Sequence, residues 1–163
     1  MTTMCKAILL ALATSLFVLT GCSTVSPYSD LTKLDLTLEG SSQLNPDLND
    51  RPSPIVLHLM ELKHPVAFEN ADFFTLYQRP REALSPDLIA VEELELRPGE
   101  KRELKLAVQE GSRYVAVLAA YRNLPDTNWR FIIPLEEKGL NQIKLRLDAE
   151  GIRELNSDDK DKD

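Results

Sequence analysis

Between residues 34 and 147 the chain keeps returning to a period of two. Leu34, Leu36 and Leu38 alternate with Asp35, Thr37 and Glu39, and Ile55, Leu57 and Leu59 alternate with Val56, His58 and Met60. Successive side chains of a strand point to opposite faces, so this pattern gives each segment one face to bury. The same reading predicts strands at 88–96, 102–108, 113–121, 129–135 and 141–147. Leu57 and Val117 are expected to face inward, although the 113–121 segment is apolar on both faces. Pro and Gly in "RPGE" at 97–100 suit a tight turn and predict a hairpin between 88–96 and 102–108. "QEGS" at 109–112 and "EEKGLN" at 136–141 mark two more turns. Short strands at regular spacing, with no helices of crossover length between them, make the chain mainly β: a two-sheet antiparallel β-sandwich.

One segment breaks the rhythm. Between Pro65 and Pro86, the residues Phe68, Ala71, Phe74 and Tyr77 recur about one helical turn apart, and Asn70 is placed as an N-cap. This predicts a small helical insertion, a helix over 71–77 and a helical turn near 81–84, packed over one end or edge of the sandwich.

The start of the chain is of another kind. Lys6 is followed by an uncharged stretch from Ala7 to Leu19, 13 residues long. That is shorter than the ~20 apolar residues that a membrane-crossing helix needs, and it reads as a signal peptide over 1–21. Leu19-Thr20-Gly21-Cys22 resembles the lipobox of bacterial lipoproteins. In that class the cysteine thiol receives a diacylglyceryl group, the signal is cut before it, and the freed amine is acylated. Each buried methylene adds roughly 0.8 kcal/mol, so three acyl chains anchor a protein essentially permanently. Cys22 is therefore expected to be an anchor carrying covalent lipid, not a catalyst. Cys5 lies within the removed segment, leaving no free thiol for a disulfide, a metal or a nucleophile. Residue 23 is Ser rather than the Asp that favours inner-membrane retention in enterobacterial lipoproteins, which points to the inner leaflet of the outer membrane.

Removal of the signal leaves 142 residues: a lipidated tether at 22–32, one domain at 33–150, and a polar end at 151–163 expected to be acidic and disordered. Residues 23–32 could reach about 35 Å if fully extended, so the domain would hang close beneath the membrane. Net charge is −7 for the full chain and, because Lys6 leaves with the signal, −8 after cleavage. That argues against nucleic acid and against electrostatic adhesion to anionic lipid.

The residues that could carry chemistry are few. His58 is expected on the outward face of a strand and His64 in the turn before Pro65, both at the surface, so zinc ligation and Cys/His catalysis lack parts. Glu92 and Glu93 are adjacent on a strand and point to opposite faces, so they cannot face one substrate together. Tyr121-Arg122 and Trp129-Arg130 either stack on a ligand or close a core; aromatics at strand ends more often do the second. No Gly-rich phosphate loop and no nucleophile elbow occurs. The expectation is no catalytic residue, no metal, no cofactor apart from the lipid, and no small-molecule substrate.

The blocks "NPDLNDRPSPIVLHLMELK" (45–63), "AFENADFFTLYQ" (67–78), "ELELRPGEKRELKL" (93–106), "SRYVAVLAAYRNL" (112–124) and "WRFIIPL" (129–135) stand in this order behind the lipobox. Together they resemble the type VI secretion lipoprotein family, TssJ (also VasD or Lip), over about 34–148. The resemblance implies a transthyretin-like β-sandwich with a small helical insertion, tethered to the outer membrane and facing the periplasm. It also implies a partner, the periplasmic C-terminal region of the inner-membrane protein TssM, and through it TssL. In this family a protruding loop between the first two strands is implicated in that capture. Here the loop is 40–54, "GSSQLNPDLNDRPSP", and its candidate partner-binding residues are Gln43, Leu44, Asn45, Pro46, Asp47, Leu48 and Asn49. Leu44 and Leu48 are expected to be exposed, presented by the turn-prone Asn45, Pro46 and Asp47; the alternative is that both fold back onto the core. The alternative function is a transthyretin-like small-ligand-binding or hydrolytic lipoprotein, which two isolated histidines disfavour.

Overall fold

The computed structural model describes residues 31–155. The expected signal at 1–21, Cys22 with most of its tether, and the chain from 156 lie outside these residues. Eight strands form two four-stranded sheets: β1 (Lys33–Gly40), β2 (Ile55–Leu62), β3 (Leu88–Leu96), β4 (Lys101–Ala107), β5 (Tyr114–Ala119), β6 (Arg130–Pro134), β7 (Leu140–Leu147) and β8 (Ile152–Glu154). The first sheet has the order β4-β1-β7-β8 and the second β3-β2-β5-β6. All pairs are antiparallel except β1 and β7, which run parallel from Lys33 opposite Leu140 to Gly40 opposite Leu147.

Alternation does what it was expected to do. Leu34, Leu36 and Leu38 of β1 meet Ile55, Leu57 and Leu59 of β2 in the core between the sheets, joined by Val115, Val117, Leu145 and Leu147. Leu57 and Val117 are fully buried. Each such side chain removed from water contributes about 1.5–3 kcal/mol. Strand β5 is apolar on both faces because it is covered twice: Ala116 and Leu118 lie in a second core with Met60, Leu62, Phe68, Leu76 and Leu84, under the helices.

Four expectations are corrected. The segments 88–96 and 102–108 are not a hairpin: β3 pairs with β2 and β4 with β1, so the "RPGE" turn carries the chain from one sheet to the other. A leucine face turned inward is satisfied equally by a hairpin and by a crossing to the opposite sheet, and the period-two pattern cannot tell them apart. Gly99 takes φ +73 there, and its N–H donates to the carbonyls of Gly40 and Ser41, both at 3.1 Å.

The helical insertion is three short helices rather than a helix and a turn: α1 (Val66–Asn70), α2 (Phe73–Gln78) and α3 (Pro80–Ala83). Asn70 ends α1, donating to the Val66 carbonyl at 2.8 Å, and the N-cap of α2 is Asp72, whose carboxylate accepts the Thr75 N–H at 3.0 Å. The break at Ala71 resets the helical phase. Phe68 and Leu76 are therefore buried while Phe74 is exposed.

His58 does lie on the face of β2 turned away from the first sheet, but α2 covers that face. Its ring stacks on Tyr77 at 4.7 Å and its Nε2 lies 3.0 Å from Glu93 Oε2, so it is buried; His64 is exposed, beside Asp87. Finally, the tail does not begin at 151. Ile152–Glu154 pairs with β7 as β8, with Ile152 in the core, and Gly151 at φ +129 forms a bridge to Asn128 that joins the β6 and β8 sides.

Candidate functional site: the loop between the first two strands

The loop after β1 has two levels. At its base, the Leu44 N–H donates to the Ser41 carbonyl at 3.2 Å and the Leu44 side chain enters the core between the sheets, fully buried. Leu44 is thus not an exposed partner contact, contrary to expectation. The open end of the sandwich near Gly40 accepts it: a Cβ on Gly40 would stand 3.2 Å from Leu44 Cδ2 and 2.6 Å from the Arg97 carbonyl. Asn45, at φ +47, is also buried. Its Nδ2 donates to the Pro54 carbonyl at 3.1 Å, and its Oδ1 accepts the Arg122 N–H at 2.9 Å. One side chain therefore closes the loop on itself and ties it to the segment after β5. The Ser53 N–H adds a bond to the Leu44 carbonyl at 3.0 Å.

The upper level is built around one carboxylate. Asp47 accepts the Asn49 N–H at 2.8 Å, the Arg51 N–H at 3.0 Å and Arg51 Nε at 2.9 Å, and pairs with Arg51 Nη2 at 2.7 Å. The Arg51 side chain first, then the backbone N–H groups of Arg51 and Asn49, hold the Asp47 carboxyl below its ordinary range. Backbone bonds from Asp47 N–H to the Arg51 carbonyl and from Asp50 N–H to the Asp47 carbonyl complete the turn, with Asp50 at φ +58. Leu48 sits at the tip, fully exposed; Gln43 and Asn49 are exposed and Pro46 is half-buried. Arg51 is the structural partner of the loop that the sequence reading missed, and its i, i+4 spacing from Asp47 was the available signal.

A cleft of about 790 Å³ separates this loop from the segment after β5, with Pro46, Asp47 and Leu48 on one wall and Tyr121, Arg122 and Asn123 on the other. Tyr121 is largely buried, and burial first, then the carboxylates of Asp148 and Glu150, pushes its phenol up so that it stays protonated. The second aromatic-cation pair closes a core. Trp129 packs against both cores, Arg130 lies over its ring at 4.4 Å, and Arg130 Nη1 donates to the carbonyls of Phe68, Glu69 and Ala71 at the end of α1.

Among the described residues no group of His, Cys, Asp or Glu is placed to hold a metal ion, and no helix is long and apolar enough to cross a membrane. Glu93 faces His58, and Glu92, on the opposite face, lines the gap at the β3 edge with Leu59 and Lys105. What the loop end offers is a shaped, stiffened surface with an apolar tip.

Comparison with known proteins identifies the family of the chain. A profile of the family described as "Type VI secretion lipoprotein, VasD, EvfM, TssJ" matches residues 32–150. The chain is similar to the crystal structure of the type VI secretion lipoprotein TssJ1 from Pseudomonas aeruginosa, with 31% identity over 77% of this chain and 95% of that one and a TM-score of 0.75. Serratia marcescens Lip, described as a membrane-bound component of the type VI secretion system, shares the fold at 24% identity over 77% of this chain and 98% of that one, with a TM-score of 0.72. A chain of a type VI membrane complex shares it at 21% identity over 77% and 99%, with a TM-score of 0.68. No match was found among curated protein sequences. A profile that spans strands β1 to β7 and a relative above 30% identity place the chain in the type VI secretion lipoprotein family.

Proposed function

We propose that this chain is the outer-membrane lipoprotein of a type VI secretion membrane complex. Cys22 carries the covalent lipid, and the sandwich faces the periplasm. The loop at 43–49 docks the periplasmic C-terminal region of TssM, and through it TssL, to the outer membrane. The observation that carries the docking half is the construction of the loop: Leu44 and Asn45 fix its base, Asp47 fixes its turn, and Leu48 is left fully exposed. An apolar anchor held in place before contact loses little conformational entropy on docking, and such central anchors dominate interface energetics.

Two experiments test it. Calorimetric titration of purified Leu48→Asp protein against the periplasmic region of TssM should show a large loss of affinity, because an unpaired charge would enter a desolvated contact. Replacing 46–50 by a Gly-Ser linker, which spares Leu44 and Asn45, should do the same without unfolding the domain. Unchanged affinity in both would place the contact on another surface. Cys22→Ser protein should leave the outer-membrane fraction; its continued retention there would remove the anchoring half of the proposal.

A further inference from the structure

The two ends of the sandwich are built differently. Strand β1 begins where the chain arrives from Cys22 and ends where the partner loop begins, and its eight residues put about 25 Å between those points. At the arriving end the backbone is fastened to the turn before β7. The Lys33 N–H donates to the Gly139 carbonyl at 2.9 Å, the Lys138 N–H donates to Thr32 Oγ1 at 3.0 Å, and Asn141 Nδ2 donates to the Lys33 and Glu136 carbonyls. This pins two leucines to one end, Leu31 at 55% exposure and Leu140 at 58%. Lys33 and Lys138 beside them are exposed.

We propose that the end of the sandwich bearing Leu31 and Leu140 rests on the lipid surface and so points the Leu48 tip away from the membrane. The inference rests on the lipid-anchor reading of Cys22. Leu31 follows Cys22 by nine residues, a reach of about 30 Å at full extension, so the lipid holds this end within range of the headgroups. Two half-exposed leucines could not bring a free protein to a membrane, but a tether makes the second contact intramolecular and weak contacts then suffice. The lysines suit the site: their stems lie along apolar surface while the ammonium groups reach the headgroup layer. Acidic Glu110, Glu136 and Glu137 are interspersed with the basic groups, and Glu137 pairs with Arg113. The contact is therefore apolar rather than electrostatic and does not depend on anionic lipid.

The test uses the mature lipidated protein in phosphatidylethanolamine vesicles with varied phosphatidylglycerol. Its sole cysteine, Cys22, is acylated, so a single Glu110→Cys or Asn49→Cys substitution places a fluorophore at the membrane end or the loop end. Nitroxide-labelled lipids should quench the first label several times more strongly than the second, at every phosphatidylglycerol content. Adding Leu31→Ser with Leu140→Ser should lower quenching at 110 to the level at 49, while the protein still floats with the vesicles. Equal quenching at both positions, no response to the double substitution, or dependence on anionic lipid would overturn the orientation. Failure to float would overturn the anchor reading itself, so the two failures are distinguishable.

Discussion

Asn45 is the residue whose removal should be felt both in stability and in binding. Replacing it by Ala takes away the side chain that bonds the Pro54 carbonyl and the Arg122 N–H across the base of the loop. A backbone group left without a partner costs about 1–3 kcal/mol when buried, and here the adjoining cleft admits water, which puts each at the low end. Alanine at φ +47 adds up to about 1 kcal/mol that asparagine largely avoids. The expected loss is about 2–3 kcal/mol, read from urea unfolding of the lipid-free Cys22→Ser chain. Asn45→Asp should be destabilised similarly at neutral pH, because it keeps the acceptor for Arg122 but turns a carboxylate toward the Pro54 carbonyl. It should recover part of that loss as pH falls toward the ordinary carboxylate range, because the folded state takes up the proton first and a protonated carboxyl can donate. Partner affinity should fall in Asn45→Ala as well, since docking would then have to order the loop, and each 1.4 kcal/mol is tenfold. An Asn45→Ala protein that unfolds within about 0.5 kcal/mol of the parent would refute the reasoning, since surface substitutions away from such features do the same.

Other expectations follow from the same contacts. Leu57→Ala should cost about 2–5 kcal/mol and Val117→Ala somewhat less, because both are fully buried between the sheets; parental urea midpoints would contradict the register. Gly151→Ala should cost about 1–3 kcal/mol and release the β6–β8 bridge, since a Cβ there would stand 2.5 Å from Asn128 N and O at φ +129; retained amide protection of residue 152 in hydrogen exchange would argue otherwise. The folded-state carboxyl of Asp47 is lowered from 3.8, so its contribution is present above that value and is lost as pH falls through the lowered one. Amide exchange at Asn49 and Arg51 should rise in acid and not in Asp47→Asn, which cannot titrate.

The legible part of the fold was the part governed by alternation. Strands β1 to β7 stand where period two puts them, and Leu57 and Val117 face inward. What the pattern could not express is which sheet a strand joins, and so the "RPGE" turn was misassigned. Strand β8 was missed because only Ile152 is buried in it, and three residues are too few to show a period. The helical insertion was placed correctly but phased wrongly, because the Ala71 break cannot be seen from apolar spacing, and Asp72 was passed over for Asn70. In the loop, Leu48 was read correctly and Leu44 was not, since local turn preference does not reveal that a strand end is open to receive a side chain.

That pair of leucines explains how the loop works. They stand four residues apart with the same side chain, one at zero exposure and one fully exposed. Burying Leu44 contributes about 1.5–3 kcal/mol, enough to hold the loop base against the entropy of the one or two residues around it. Asn45 then satisfies the backbone groups that this descent would strand, and Asp47 with Arg51 folds the tip independently of the core. The two levels meet through Pro46 on one limb and through Pro52 and Ser53 on the other, so the tip at 47–51 can change in sequence without disturbing the sandwich, provided that residues 44, 45 and 54 are kept. In the proposed docking role, substitutions at 48 and 49 alone would change the partner contact and leave the base intact. Substitutions at 44 or 45 would first be felt as lost stability and only secondarily as lost binding.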